Sequence, residues 1–416
     1  MSAREKFIEK GSGFGEGLRD LPKSLNGKTI TAGIISTIFG CTGPALVVIA
    51  NAAQAGFTHA ETVTWLFGIY VFGGLLGALL ALYYKKPISG AFSIPGAAMM
   101  GAALYGFSFQ QAAGAFIMAG VIVLLLGVTG LVGKVMRFLP LPIVMGMIGG
   151  ALLRFGTGIA TSAINEPVIA GLAVLAFFIM PRFTKKFPPV LAALVVGVIA
   201  AIATGSFAGG GEGLTFVAPQ LVMPSFDASL ILSVSIPLAV LVIGAENAQA
   251  IGVLMVQKYN PPINAMTLFS GIGGIVSGLF GAHNANIAGP MTAICSSEVA
   301  GEHKDRYAAS VVNGITFATF GIFASFALAF VTMIPGALVN VLAGLAMMNV
   351  LIQAFSEGFK TMKYKTGAFV ALVVAVANTP ILGIGAPFWA LLAGVVVALI
   401  CDSADFKADR EAAKTA

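Results

Sequence analysis

Glu246 is the single charged residue between Ala228 and Gln257, set in the stretch IGAENAQAIG. An isolated carboxyl in so apolar a run invites a chemical reading. Lys258 follows twelve residues later, so a helix rising 1.5 Å per residue puts Glu246 roughly 18 Å from that end, near the middle of a roughly 30 Å hydrocarbon core. An ionised carboxylate at that depth costs at least about 2 kcal/mol unless it is protonated or faces a polar cavity. A carboxyl that can load and release a proton there points to a proton-coupled substrate site. The structural alternative is a glutamic acid that pins two helices together through hydrogen bonds. Gln249, three residues on, shares the face of Glu246, whereas Asn247 is turned about 100° away, within reach of a neighbouring span.

A second constellation surrounds two breaks in the apolar pattern, Ser93-Ile94-Pro95-Gly96 and Ala288-Gly289-Pro290, the latter preceded by the polar run Gly281-Ala282-His283-Asn284-Ala285-Asn286. Extended chain leading to each proline would leave two short helices starting near the midplane. Each would present unpaired N–H groups and about half a positive charge. Facing one another, they form a cradle for an anion or a hydrogen-bond acceptor. The candidate substrate-binding residues are therefore Ser93, Pro95, Gly96, Glu246, Asn247, Gln249, His283, Asn284, Asn286, Gly289 and Pro290, with Glu246 and His283 as candidate proton carriers. The plainer alternatives are that the prolines and glycines kink and pack helices, and that His283 and the asparagines satisfy backbone groups at an outer loop.

The elements that must hold these residues follow from composition. Hydrophobic residues make up 58% of the 416 and charged residues 10%, with mean hydropathy +0.95, against roughly 25% charged residues in a soluble domain. This is the composition of a polytopic all-α membrane protein. The polar stretch from Met1 to Lys28 lacks an apolar core of signal-peptide length, so the first apolar run is expected to serve as an uncleaved insertion signal. Cys41, Cys295 and Cys401 are scattered, which argues against a disulfide framework or a metal site, and no cofactor is implied.

Charged and Pro/Gly breaks divide the apolar runs into fourteen expected segments: 30–55, 62–84, 88–106, 111–133, 139–162, 167–181, 188–206, 228–256, 262–282, 285–300, 308–333, 336–356, 366–381 and 385–401. With both termini cytoplasmic, the N-terminal tail, Lys85/Lys86, Lys134/Arg137, Arg182/Lys185/Lys186, Lys258, Lys304/Arg306, Lys360/Lys363/Lys365 and the C-terminal tail share one side. Of the 23 basic residues only Arg154 is left over, and short cytoplasmic loops retain lysine and arginine. The net charge of +6 is thus a topology signal and not a nucleic-acid signal. Pro290 follows Pro95 by 195 positions, as Pro335 follows Pro140. Seven segments per half is odd, so the second repeat is expected to be inverted, with segments 3 and 10 broken at matching places, the sequence mark of a transporter site.

Other signals are weaker. GSGFGEG from Gly11 to Gly17 follows no strand and precedes no P-loop lysine. Phe7, Phe14, Leu18, Leu21 and Leu25 have loosely helical spacing suited to the inner membrane surface, but the glycines favour a disordered tail. GIGGIVSG from Gly271 reads as helix packing. Neither HExxH nor GxSxG occurs, and an intramembrane enzyme has little support.

SIPGAAMMGAAL after Phe92, LLRFG around Arg154, IGAENAQAIGVL, IAGPMTAICSSEVAGEHKDRYAAS, AGLAMM near Gly344 and GIGAPFWALLAG from Gly383 together resemble the benzoate–proton symporter (BenE) family along roughly Thr31 to Leu399. The resemblance implies the seven-plus-seven inverted-repeat fold shared with nucleobase–ascorbate and SulP transporters. It implies a cytoplasmic tail over 1–28, a core domain over 29–134 and 228–334, a gate domain over 135–206 and 335–402, an outer linker over 207–227 and a second cytoplasmic tail over 403–416. Where the family pattern has QNxPG, this chain has Glu246-Asn247-Ala248-Gln249-Ala250, and a glutamate at that place resembles nucleobase transporters of the same fold. HNANIAGP is also more polar than the family's entry to segment 10. Arg154 is either an anchor at the outer gate or a contact for incoming anions. The expected function is import of a small aromatic carboxylate together with protons across a bacterial inner or plasma membrane. The alternatives are a nucleobase-like heterocycle and, in third place, an anion channel. A homo-oligomer is compatible with either transporter.

Overall fold

A computed structural model of the chain describes residues 8–129, 139–184, 188–207, 215–379, 381 and 386–415. The chain enters through α1 (Phe14–Ser24), α2 (Gly27–Ala55) and α3 (His59–Tyr84). Asn26 and Thr29 form a reciprocal capping box at the start of α2, as Thr58 and Glu61 do for α3, satisfying donors that a helix leaves unpaired at its first turn. Then come the two-residue strand β1 (Gly90–Ala91), the half-helix α4 (Ile94–Ala103) and α5 (Phe109–Thr129). Next are α6 (Leu141–Asn165), α7 (Pro167–Phe183), α8 (Pro189–Ala203), α9 (Ala228–Val256) and α10 (Ile263–Gly278). The strand β2 (Asn286–Ile287) leads to the half-helix α11 (Gly289–Ser296), followed by α12 (Tyr307–Ile322), α13 (Ala324–Met333), α14 (Gly336–Phe359), α15 (Lys365–Ala377), α16 (Ala386–Cys401) and α17 (Ser403–Thr415).

Among the described residues, α2, α3, α5, α6, α9 and α14 are long and apolar enough to cross a membrane. The bent pairs α12/α13 (65°) and α16/α17 (86°) raise that number from 6 to as many as 8. The shorter apolar helices α4, α7, α8, α10 and α15 occupy other expected segments. Phe7, Lys134, Arg137, Lys185, Lys186 and Gly383 to Gly385 lie outside the described residues.

Two sets of helices pack within themselves. In one, α3 lies on α12, α5 on α10, α2 on α4 and α12, and α9 on α11; in the other, α6 lies on α14 and α15, α15 on α16, and α7 on α8. The sets meet where α2 touches α14 and α4 touches α6. Close backbone approach makes such contacts possible without a hydrophobic drive between helices. A Cβ on Gly74 of α3 would come within 2.4 Å of the Gly314 carbonyl of α12, and one on Gly314 equally close to the Gly74 carbonyl.

The expectation of a disordered N-terminal tail is overturned over Phe14–Ser24. α1 lies across the end of α3: the Gly13 N–H donates to the Tyr83 carbonyl at 3.0 Å, Tyr307 donates to the Gly17 carbonyl at 3.2 Å, and Lys85 pairs with Asp20 at 2.7 Å and Glu16 at 3.3 Å. A Cβ at Gly17 would stand 2.1 Å from the Leu82 carbonyl. That glycine is there for contact, which a composition argument reads as flexibility.

Candidate functional site

The two breaks are built as a pair. β1 and β2 run antiparallel with Gly90 opposite Ile287 and Ala91 opposite Asn286, so each strand supplies the partner for the other's backbone in the apolar interior, where unpaired groups are costly. Each strand leads directly into a half-helix with proline in its first turn, a place where the missing N–H costs nothing. Ser93 caps α4 by accepting the Gly96 N–H at 3.0 Å. Its own proton is thereby free to point elsewhere.

Glu246 takes up that position. It sits on α9 within the π-helical turn Val242–Asn247, a widened turn common at functional sites. Only 6% exposed, it turns its carboxyl to the Ser93 hydroxyl and the Ile94 N–H. The first turn of α4 thus faces a carboxyl group. Gln249, one turn along α9, lies across the start of the second half-helix: a Cβ at Gly289 would come 2.3 Å from its Oε1. Gly96 has a different role, since its added Cβ would meet Leu238 Cδ1 at 2.8 Å and the Ser93 side chain; it lets α4 pack.

Behind this front stands a buried polar layer. The Trp65 indole can only donate, and it donates to His283 Nδ1 at 2.9 Å, so Nε2 carries the proton and donates to the Ser93 carbonyl at 2.9 Å. Trp65, Phe92 and Phe116 enclose the ring edgewise. His283 is fully buried with both nitrogens engaged. It positions Ser93 and does not face the cavity. Asn284 Oδ1 accepts the Ser93 N–H at 3.1 Å, and Asn247 Oδ1 accepts from Ser270 at 3.1 Å. Asn286 is buried in β2, and neither of its amide atoms has a hydrogen-bond partner among the described residues.

A cavity of about 50 Å³ separates the half-helices from the second set of helices, bounded by Pro95, Glu246, Gln249 and Pro290 on one side and by Met145, Ile148, Val350 and Gln353 on the other. Glu246 also walls a smaller crevice with Phe39, Phe92 and Met291. Both are far below the roughly 300 Å³ of a small-molecule pocket, so an aromatic ligand requires the two walls to part. Gln249 donates to Gln353 at 3.3 Å across the gap. Sequence reasoning missed Gln353; its amide in an otherwise apolar run was the available signal.

Arg154 stands apart from this cavity, beside the last turn of α2 and the middle of α4. Its guanidinium donates to Gln54 Oε1 at 2.8 Å, Asn51 Oδ1 at 2.7 Å and the Ala98 carbonyl at 2.6 Å. It therefore ties α6 to α2 and α4, across the boundary between the two sets.

Over most of its length the chain is similar to known membrane proteins. It is 29% identical to inner membrane protein YdcO of Escherichia coli (strain K12) over 384 residues, covering 91% of this chain and 98% of that protein. It is 24% identical over 384 residues to the benzoate membrane transport protein of Acinetobacter baylyi, covering 92% and 97%. Among solved structures, it shares a fold with the transmembrane domain of the cyanobacterial bicarbonate transporter BicA (TM-score 0.60, 18% identity, 89% of this chain and 97% of that one). SLC26A9 has the same TM-score of 0.60 at 15% identity, covering 92% of this chain and 67% of that one. The sequence profile of the benzoate membrane transport proteins, BenE, matches residues 23–400, and this multi-pass membrane protein belongs to that family.

Proposed function

We propose that the protein imports a small aromatic carboxylate of the benzoate type together with a proton by alternating access. The observation that carries this reading is the Glu246 carboxyl lining one cavity with Ile94 and Pro95 at the start of α4 and facing the Ser93 hydroxyl and the Ile94 N–H, donors suited to a substrate carboxylate. Substrate anion and ionised Glu246 compete for the same groups and repel each other across a poorly screened site. Once Glu246 carries a proton, it releases these acceptor-seeking groups and can itself donate to the substrate. Proton loading thereby becomes the condition for substrate binding. Gln249 and Gln353 part as the 50 Å³ cavity widens around the ring.

In this reading the chain crosses an inner or plasma membrane fourteen times in two inverted repeats, with both termini cytoplasmic. The helices carrying the broken segments form the moving core. The set built on α6 and α14 forms the gate, and Arg154 is the strap between the two on the outer side. The retained basic residues of the loops support this orientation. A second reading, a nucleobase-like heterocycle, is favoured by one observation: the Gln249–Gln353 amide pair beside Glu246 offers donors and acceptors to a ring edge.

Proteoliposomes decide the coupling. One anion moving with one proton carries no net charge, so benzoate accumulates under a pH gradient and fails to accumulate under a membrane potential at equal pH. Potential-driven accumulation at equal pH would refute one-to-one coupling. Uracil uptake without benzoate uptake would replace the substrate assignment with the second reading.

A further inference from the structure

The Arg154 site has features that a simple strap does not need. It opens into a cavity of about 340 Å³, within the range of small-molecule pockets and several times the central one. Asn51, Gln54, Phe155, Thr161 and Asn340 line it with Arg154, and no carboxylate does among the described residues. Among the described residues Arg154 makes no ion pair; all three of its partners there are neutral oxygens. Five N–H donors are available to a guanidinium, so two are left over after those bonds. Its face also lies over the Phe155 ring, with the guanidinium carbon 5.0 Å from the centroid. Ala98, whose carbonyl it holds, is one helical turn, roughly 6 Å, beyond Ile94 on α4.

We infer that Arg154 is an anion receptor in the outer vestibule, where the substrate carboxylate docks before it reaches the half-helices. The inference rests on the transport direction proposed above. A carboxylate is a stronger acceptor for the guanidinium than the amide oxygens of Asn51 and Gln54 or the Ala98 carbonyl. Its arrival exchanges those three bonds to neutral oxygens for bonds between opposite charges and unties the gate helix α6 from α2 and α4. The bound anion thus does two things at once: it is concentrated one turn from the central donors, and it removes the bonds that hold core to gate.

The test separates a receptor from a strap by the sign of two variants. Uptake and efflux of labelled benzoate are measured in cells lacking a benzoate transporter of their own. A receptor predicts that Arg154→Gln raises the external KM by about tenfold or more, the scale of one lost charge-assisted hydrogen bond, while efflux from loaded cells is less affected. Arg154→Lys, which keeps the charge but loses the planar fork and the stacking on Phe155, should raise the external KM less than Arg154→Gln does. Gln54→Ala frees the guanidinium and should lower the external KM. If Arg154 were only a strap, Arg154→Gln and Gln54→Ala would loosen the same contact and move the external KM in the same direction. That result, or an unchanged external KM in Arg154→Gln, overturns the receptor while leaving benzoate import intact. Absence of benzoate uptake by the wild type would instead remove the proposed function and this inference with it.

Discussion

Replacing Glu246 by glutamine keeps the size of the side chain and an amide donor while removing its titration. In the ionised wild type the carboxylate faces Ser93 and Ile94; as an acceptor it would engage each donor by a charge-assisted hydrogen bond at about 1.5–3 kcal/mol, against about 0.5–1.5 kcal/mol for a neutral one. Holding those donors against a substrate is therefore stronger by roughly 1 kcal/mol per bond, or about 2 kcal/mol in all, which is about thirtyfold in affinity. Wild-type benzoate affinity should fall by about that factor between the protonated and ionised forms. Glu246→Gln should bind with an affinity that varies by less than about threefold from pH 5 to 8, and should still exchange substrate. Accumulation tells the rest: one pH unit across the membrane is worth 1.36 kcal/mol per proton, about tenfold in substrate. The wild type should approach that ratio and Glu246→Gln should lose it. Calorimetric binding across pH, with pH-driven uptake in proteoliposomes, measures both quantities. Full accumulation by Glu246→Gln with wild-type pH dependence would show that the proton travels on another group and refute the mechanism.

The surrounding residues give further expectations. Gly289→Val drives a side chain into Gln249, so transport should be abolished while the protein still reaches the membrane; normal benzoate uptake by this variant would move the site elsewhere. His283→Phe strands the Trp65 N–H in the buried layer, at about 1–3 kcal/mol for the unsatisfied group, and removes one of two donors to the Ser93 carbonyl, which keeps the Ala97 N–H; it should lower the thermal midpoint even where substrate is absent. For α1, the Lys85 hydrogen bond, more than any other contact, holds the Asp20 carboxyl below its ordinary value of 3.8. A depressed carboxylate contributes to attachment above its unfolded value and loses that contribution as pH falls through the folded one. Protection of the Phe14–Ser24 amides from hydrogen exchange, taken relative to the intrinsic rate at each pH, should therefore hold at neutral pH and fall below about pH 4, and Asp20→Asn should show the lower protection already at neutral pH.

Much of the site could be read from residue types because a membrane interior leaves few reasons for a polar side chain. A lone glutamate in a thirty-residue apolar run, and prolines interrupting two other runs, were legible as chemistry before any packing was known. Extended chain before Pro95 and Pro290 followed from the same reasoning, since proline ends one helix and starts the next. Tertiary structure alone decided what those groups face. Ser93 became the meeting point of Gly96, Asn284, His283 and Glu246 only when residues nearly two hundred positions apart came together. Glu246 and His283 were both candidates for the proton by type, and only the packing encloses His283 between Trp65, Phe92 and Phe116 with both ring nitrogens engaged. Glycine at position 17 reads as freedom in a sequence and proves to be contact with Leu82, because a missing side chain looks the same whether a loop or a neighbouring backbone needs the space. The pairing of Gln249 with Gln353 and the three bonds of Arg154 span the boundary between two helix sets. Hydrophobic patterning fixes which residues are buried in each helix, whereas the partner across such a boundary depends on how whole helices dock.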